Sequence, residues 1–464
     1  MKYMINNIKL IGIVLIATFI SASCDNDNKD LDNVDLPEYN LLVEGDGDLI
    51  LNGMTFPYTN FNSVSPSQSF TVKGKDLSSE ITISISDNFQ LSINDTDFSQ
   101  TITLSSDDSI NETLIYVRFA PNATAKGDLT GNVNVSNPQV EDVSFNLKGK
   151  TANNTGIINY QTFDKERVAF GGGFSQASRK TFTLHNDLTN IESIKMYVKL
   201  TCPDGGCDEW DVFANVKIKD LISGEDYELG RFITPYWNDN SQLPRGFEFD
   251  VTDFKSMLTG EVELRIRTEC WNAKGYEVSV DFDYIEGTPD YPYYAITRIF
   301  NYDSGSAGGV PYGIAHDKDL QKVITIPANA ESTHLRTFIN GWGEANPGDV
   351  GGRRCAEWCY RTHKIKIDGT NTFDHYMGPL GCADNPVNNQ SPGNWTADRA
   401  GWCPGMVVPI RIDELSNPMA GGSFNFEYTF ENWVSDESKE AYYPISTFVV
   451  VKSNTEIVRP TVVD

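Results

Sequence analysis

From residue 68 the chain alternates apolar and polar positions in short runs. SFTVKG, EITISIS, FQLSI, QTITLSS, LIYVRFAP, TGNVNVS and VSFNLKG follow one another as far as residue 149, with turn residues between them. A period of two is the mark of a strand with one buried face. Seven such runs at short spacing predict an Ig-like antiparallel β-sandwich over residues 38–150. The pattern resumes in IKMYVKL, WDVFANVKI, VELRIRT and VSVDFDYI. It breaks at GTPDYP, residues 287–292, and returns in KVITIP, HLRTFING, HKIKIDG, FNFEYTF and STFVVVK. No helical periodicity lasts beyond a turn or two. An all-β chain is implied, with two further sandwiches over 157–288 and 293–464.

The first residues read differently. Lys2 and Lys9 precede an apolar run, Leu10 to Ile20, and then small residues and Cys24. That is a signal peptide, residues 1–23, with an apolar core too short to span a bilayer stably. A Cys directly after small residues resembles a bacterial lipobox, whose thiol is lipidated. Ser21 stands three positions before Cys24, where Leu is commoner. The expectation is a lipid anchor at Cys24 and attachment to the outer membrane, with surface exposure. Ordinary cleavage nearby, giving a secreted or periplasmic protein, is the alternative. DNDNKDLDNVD then reads as a flexible acidic tether, within residues 24–37.

Composition shifts sharply near residue 150. All eight Trp lie between Trp210 and Trp433, and all five His lie after residue 150. Residues 25–150 carry 20 acids and 7 bases and no Trp. TANNTG, residues 151–156, is the expected linker. With no chemistry in its runs, the first sandwich reads as a spacer, or else as an accessory glycan contact. Without residues 1–23 the chain loses two lysines and no acid, so its formal charge moves from -27 to -29. Such a chain repels nucleic acid and anionic lipid surfaces. A neutral or basic partner is expected.

Seven cysteines follow Cys24. In an oxidising compartment the close pairs Cys202/Cys207 and Cys355/Cys359 read as disulfides. Zinc is the rival, although typical knuckles space their ligands as Cys-x2-Cys and these spacings are longer. Three bridges would leave one odd thiol, and Cys270 has no near neighbour.

Two stretches nearly repeat: CDEWD, Cys207 to Asp211, and CAEWC, Cys355 to Cys359. If WDVFANV is a strand, Trp210, Val212, Ala214 and Val216 face the core and Asp211 points the other way. In LRIRTECW, alternation places Arg265, Arg267, Glu269 and Trp271 on one face. Glu357 lies inside the small loop that a Cys355–Cys359 bridge would close. Around it lie GWGEANPG and NNQSPGNWTADRAGWCPGM, long irregular loops of the kind that carry function. Acids beside Trp-bearing, clamped loops suit a carbohydrate: the Trp faces stack on sugar rings, and carboxylates bind hydroxyls or move protons. Spacing alone does not separate a glycosidase, a lectin and a glycan amidase.

From about Ile157 to its end the chain resembles the peptide:N-glycosidase F family of bacterial N-glycan amidases. The matching runs are CDEWD, LGRFITPYW, LPRGFEFDVTDFKSML, AKGYEVSVDFD, GTPDY, GVPYGIAH, CAEWCYRTH, NNQSPGNW and DRAGWCPGM. The resemblance implies two jelly-roll sandwiches packed side by side with the site in the cleft between them. It implies bridges Cys202–Cys207, Cys355–Cys359 and Cys382–Cys403. It implies that Asp211 is the principal catalytic acid, that Glu357 is its partner and that Glu269 supports binding and catalysis. Trp210, Trp271, Trp342 and Arg399 would contact the substrate. The reaction implied is hydrolysis of the amide joining the first GlcNAc to Asn, on glycoproteins or glycopeptides, by a monomer using no metal or cofactor. A glycan-binding lectin and an endoglycosidase cutting chitobiose are the alternatives. The sequence departs from the family pattern at Val212, Cys270 and Glu344, where Arg, a small polar residue and His are expected.

Overall fold

The computed structural model describes residues 40–464, apart from 46–51, 60–62, 76, 78, 106–108, 123, 152–155, 304–307, 392 and 439–440. The expected signal peptide, Cys24 and the expected tether lie outside the described residues, as does most of TANNTG, the expected linker.

The N-terminal region stacks two sheets. One runs in the order 40–45, 68–75, 109–119, 89–92, and the other 54–55, 143–150, 128–136, 81–85, 101–104. Inward positions of the alternating runs meet between them: Phe70, Val72, Val117 and Phe119 from one sheet, Ile83, Val133, Phe145 and Leu147 from the other. Two strands are not announced by the pattern. Asn40–Gly45 is a sheet edge, and Met54–Thr55 is a two-residue strand pairing in parallel with Val143–Lys150. The tyrosine hydroxyl of Tyr58 donates to Glu286 at 3.1 Å, and the Lys150 ammonium lies 4.2 Å from the centre of the Tyr160 ring. These contacts join the region to the next sandwich.

That sandwich pairs 157–161, 276–286, 191–201 and 247–250 in one sheet and 177–183, 261–268, 213–219 and 226–233 in the other. The last sandwich is built alike, from 293–302, 445–453, 332–339 and 410–414 against 370–377, 361–367, 423–429, 321–325 and 461–463. Phe213–Lys219, Asp226–Ile233, Ser332–Ile339 and Ile445–Ser453 are buried on both faces along almost their whole length. The apolar run TFVVVK reflects this, because a strand covered on both sides cannot alternate. Here the two sandwiches press together: Ile296, Phe448 and Val450 belong to the same core as Val216 and Phe254.

Several charges buried in that seam are matched. Arg231 makes a two-point contact with Glu228, at 2.9 and 2.7 Å, and donates to Asn340 and to the Pro444 carbonyl across the seam. Lys217 meets Asp303 at 2.8 Å, and Asp253 meets Arg336 and His334 at 3.0 and 3.1 Å. Such pairs add little net stability, since desolvation offsets attraction. They do make any other docking orientation costly, because it would strand a buried charge. The chain crosses the seam once more as a ladder: Ile233 N–H donates to the Met406 carbonyl at 3.0 Å and Val408 N–H to Arg231 at 2.8 Å. This ladder sets the spacing between the two halves of the cleft.

Candidate active site

The first wall of the cleft starts as a pinned loop. A disulfide joins Cys202 to Cys207, and between them Gly205 and Gly206 take positive φ, 97° and 96°, which a side chain would resist. Asp208 follows and is wholly buried. Its carboxylate accepts from the N–H of Trp210 at 3.0 Å and of Trp271 at 2.8 Å, so one acid ties CDEWD to TECW. The Thr234 hydroxyl accepts from Val212 N–H at 2.9 Å and donates to the Trp210 carbonyl at 3.0 Å, clipping the backbone on both sides of Asp211.

The sequence reading of Trp210 is corrected here. The strand starts at Phe213, not at Trp210. Trp210 lies in the loop before it and is 54% exposed. Alternation misplaced it because the bonds to Asp208 and Thr234 set the backbone there in place of a ladder. Trp271 is 66% exposed, also beyond the end of its strand, at Thr268. Glu269 is buried; its N–H donates to the Phe213 carbonyl at 3.0 Å and its carboxylate meets Arg267 at 3.3 Å.

The second wall holds Glu357 inside the Cys355–Cys359 bridge. Glu357 N–H donates to Gly343 at 2.9 Å, and its carbonyl accepts from Ala400 at 2.7 Å. The strand-like segments around 341–344, 355–357 and 399–402 are therefore laced together. Trp342 is half-buried and stacks on Trp402 at 4.7 Å, with Phe213 of the other sandwich edge-on at 6.5 Å. It braces the junction of the two sandwiches. The third bridge, Cys382–Cys403, closes the loop that carries Arg399, and Cys270 is free and buried.

Arg399 is fully buried beneath the two acids rather than open on a pocket wall. Its guanidinium donates to the Asn394 carbonyl at 2.9 Å and side chain at 2.9 Å, to the Ala397 carbonyl at 2.5 Å and to the Tyr236 hydroxyl at 3.3 Å. It lies 4.6 Å from the centre of the Trp358 ring. One nitrogen is 3.4 Å from Asp211 and another is 3.9 Å from Glu357. A single cation thus spans carboxylates brought from two different sandwiches.

Burial pushes the Asp211 carboxyl up to about 6, against the pull of Arg399 and the Tyr236 hydroxyl. Glu357 goes to about 8: burial is the main cause, and the charges of Asp211 and Glu344 add to it. Between these values one acid is ionised while the other keeps its proton, the division that acid–base catalysis requires. Asp208, Thr234, Tyr236, Trp358 and Asn394 belong to this site and were not singled out from the sequence. Asp208 and Trp358 lie inside CDEWD and CAEWC, and the runs LGRFITPYW and NNQSPGNW hold Thr234, Tyr236 and Asn394. Glu344, one of the departures, accepts the Trp358 indole N–H at 2.7 Å and meets Arg354 at 3.2 Å.

Comparison with known proteins gives the following. The family described as peptide-N-glycosidase F, C terminal, matches residues 312–450. Peptide-N(4)-(N-acetyl-beta-D-glucosaminyl)asparagine amidase F of Elizabethkingia miricola is 53% identical over 332 residues, which span 71% of this chain and 93% of that protein. The structure of PNGase F, a glycosylasparaginase from Flavobacterium meningosepticum, aligns with a TM-score of 0.65 and 55% identity, covering 66% of this chain and 99% of that one. PNGF-II, at 14% identity and a TM-score of 0.54 over 86% of this chain and 81% of its own, shares the fold alone.

Proposed function

The chain belongs to the peptide-N-glycosidase F family and hydrolyses the amide bond between Asn and the innermost GlcNAc of N-linked glycans; we propose that Asp211, Glu357 and Arg399 carry that reaction. The observation behind this assignment is the meeting of two carboxylates with raised and separated acidities over one buried cation.

Ionised Asp211 takes a proton from water, and the oxygen attacks the side-chain carbonyl of the substrate Asn. Arg399 offsets the negative charge that builds in the cleft. As the tetrahedral intermediate collapses, the C–N bond breaks and protonated Glu357 supplies the leaving nitrogen with its proton. Asn becomes Asp, and the sugar leaves as a glycosylamine, which loses ammonia in water. The proton now on Asp211 and the one missing from Glu357 are restored by exchange. Glu269 and the exposed faces of Trp210 and Trp271 hold the first sugars. Trp342 acts as a brace.

Incubation with a denatured N-glycopeptide, followed by weighing the peptide, tests the reaction. Asn converted to Asp is expected. A peptide still bearing one GlcNAc marks an endoglycosidase, and an uncut but bound glycan marks a lectin.

The acidic N-terminal sandwich is a spacer in this reading, on a monomer anchored by a lipid at Cys24. No helix among the described residues is long and apolar enough to cross a membrane. Fatty-acid labelling that survives Cys24→Ser would refute the anchor. A chain beginning at Asn153 should keep full activity on short glycopeptides, and a folded but inactive one would refute the spacer.

A further inference from the structure

The loop that crosses from one sheet of the first jelly roll to the other, residues 169–176, reads AFGGGFSQ. Its backbone is set by three successive glycines of positive φ, 79°, 61° and 87°, and by a turn in which Phe174 N–H donates to the Gly171 carbonyl at 3.0 Å. The loop is fastened to the TECW loop. Phe170 N–H donates to the Asn272 carbonyl at 2.9 Å, and the Arg167 guanidinium donates to the Ala273 carbonyl at 2.8 Å. A Cβ added at Gly172 would stand 3.1 Å from that of Ala273. Yet the loop buries neither of its phenylalanines: Phe170 is 57% and Phe174 46% exposed. Arg167 lies 4.9 Å from the centre of the Phe174 ring, which helps hold it outward.

Fixed, exposed apolar rings on a loop are better explained by a partner than by the fold. The patch is continuous with the catalytic cleft: Asn272 follows Trp271, whose N–H is bound by Asp208, and Glu269 pairs with the strand that begins just after Asp211. Its chemistry differs from the cleft's. Carboxylates and indoles line the cleft and suit sugar hydroxyls. From Phe170 to Phe174 the loop offers only rings and glycines, and so no side-chain group to bond a hydroxyl.

We propose that the loop 169–175, through Phe170 and Phe174, docks the polypeptide flanking the glycosylated Asn and favours apolar side chains beside it. The proposal rests on the amidase reading. A substrate branched at Asn sends its glycan to the polar walls, and its peptide must leave over the rim. This is the apolar part of the rim that adjoins Trp271, and a bound peptide side chain would gain there by covering the rings.

The test compares two synthetic glycopeptides with the same glycan, one with Gly and Ser around the Asn and one with Leu and Phe. Phe170→Ser/Phe174→Ser should raise KM for the apolar peptide by about tenfold and leave kcat, and both constants for the Gly/Ser peptide, unchanged. Phe170→Leu/Phe174→Leu should retain most of the preference, and matched thermal midpoints establish that both variants fold. No change on either peptide overturns the proposal. An equal loss on both overturns it too, and assigns the rings to the glycan or to loop structure. Failure of the unaltered protein to cut either peptide is a distinct result, which removes the amidase reading and this inference with it.

Discussion

CDEWD and CAEWC contain the same ingredients and use them in opposite ways. In the first the cystine ring closes before the acid, and Asp211 projects from a stretch clipped by Thr234. In the second the ring encloses the acid, and Glu357 is laced to two neighbouring segments. The first Trp stands exposed at the cleft mouth. The second, Trp358, turns inward, with its indole on Glu344 and its face against Arg399. The acids diverge accordingly. Asp211 has the closer contact with Arg399, 3.4 Å against 3.9 Å, and also the Tyr236 hydroxyl. Glu357 has Asp211 and Glu344 for neighbours and is raised further, to about 8 against about 6. Near-duplicate sequences thus give two acids of different proton affinity, because the surroundings, not the motif, set it.

The sharpest way to break this comparison is Asp211→Asn, which keeps shape and removes the proposed base. Its kcat should fall on the order of a hundredfold or more. Glu357→Gln comes next and carries a distinct signature. The parent's rate should climb as Asp211 ionises through about pH 6 and fall as Glu357 loses its proton through about pH 8. In Glu357→Gln the remaining activity should lose the upper limb and keep the lower. Stability provides an independent check. A carboxyl raised by folding contributes stability that is present below its unfolded value and lost as pH rises through the folded one. Glu357→Gln should therefore match the parent's thermal midpoint in acid and exceed it above pH 8. An unchanged pH profile with an unchanged midpoint would assign the proton to another group.

A smaller effect concerns how the walls are held. Asp208→Asn leaves one of two buried N–H groups facing an amide N–H, which should cost about 1–3 kcal/mol of stability. Because Trp210 and Trp271 lose their common anchor, KM should rise more than kcat falls. Glu269→Gln removes the charge paired with Arg267 and should weaken substrate binding by about tenfold with a lesser change in kcat. A loss confined to kcat in either variant would place that residue among the proton carriers instead.

What the sequence made legible follows the range of the interactions. Alternation located most strands, including Gln68–Lys75 and Glu261–Thr268, because one face of each is solvated. It failed at Trp210, where side-chain bonds from Asp208 and Thr234 replace a ladder. The three acids could be named from motifs. Their meeting over Arg399 could not, since it depends on the seam held by Arg231, Glu228 and the 405–408 ladder, contacts between residues far apart in the chain. The resemblance put Arg399 of DRAGW against the substrate, yet Asn394, Ala397, Tyr236 and Trp358 enclose it completely. Asp208 was hidden because it is one of three acids in CDEWD and nothing local marks which of them turns inward.

The smallest expected effect is also the strictest control. Glu209 stands between buried Asp208 and exposed Trp210, in the same pentapeptide as Asp211 and behind the same cystine ring. Its carboxylate accepts from the Asn272 side chain at 3.0 Å and lies 3.6 Å from the Lys274 ammonium, with a third of its surface open to water. Glu209→Gln keeps the acceptor for Asn272 and loses only an ion pair worth about 0–1 kcal/mol at such exposure. Its kcat, KM and pH profile should therefore match the parent's, and its thermal midpoint should move by little. Any disturbance of the loop common to the two positions would appear in Glu209→Gln as well as in Asp211→Asn, so the difference between them isolates the proton chemistry. A well-folded Glu209→Gln without activity, beside an active Asp211→Asn, would put the catalytic acid at position 209 and leave Arg399 bridging the wrong pair.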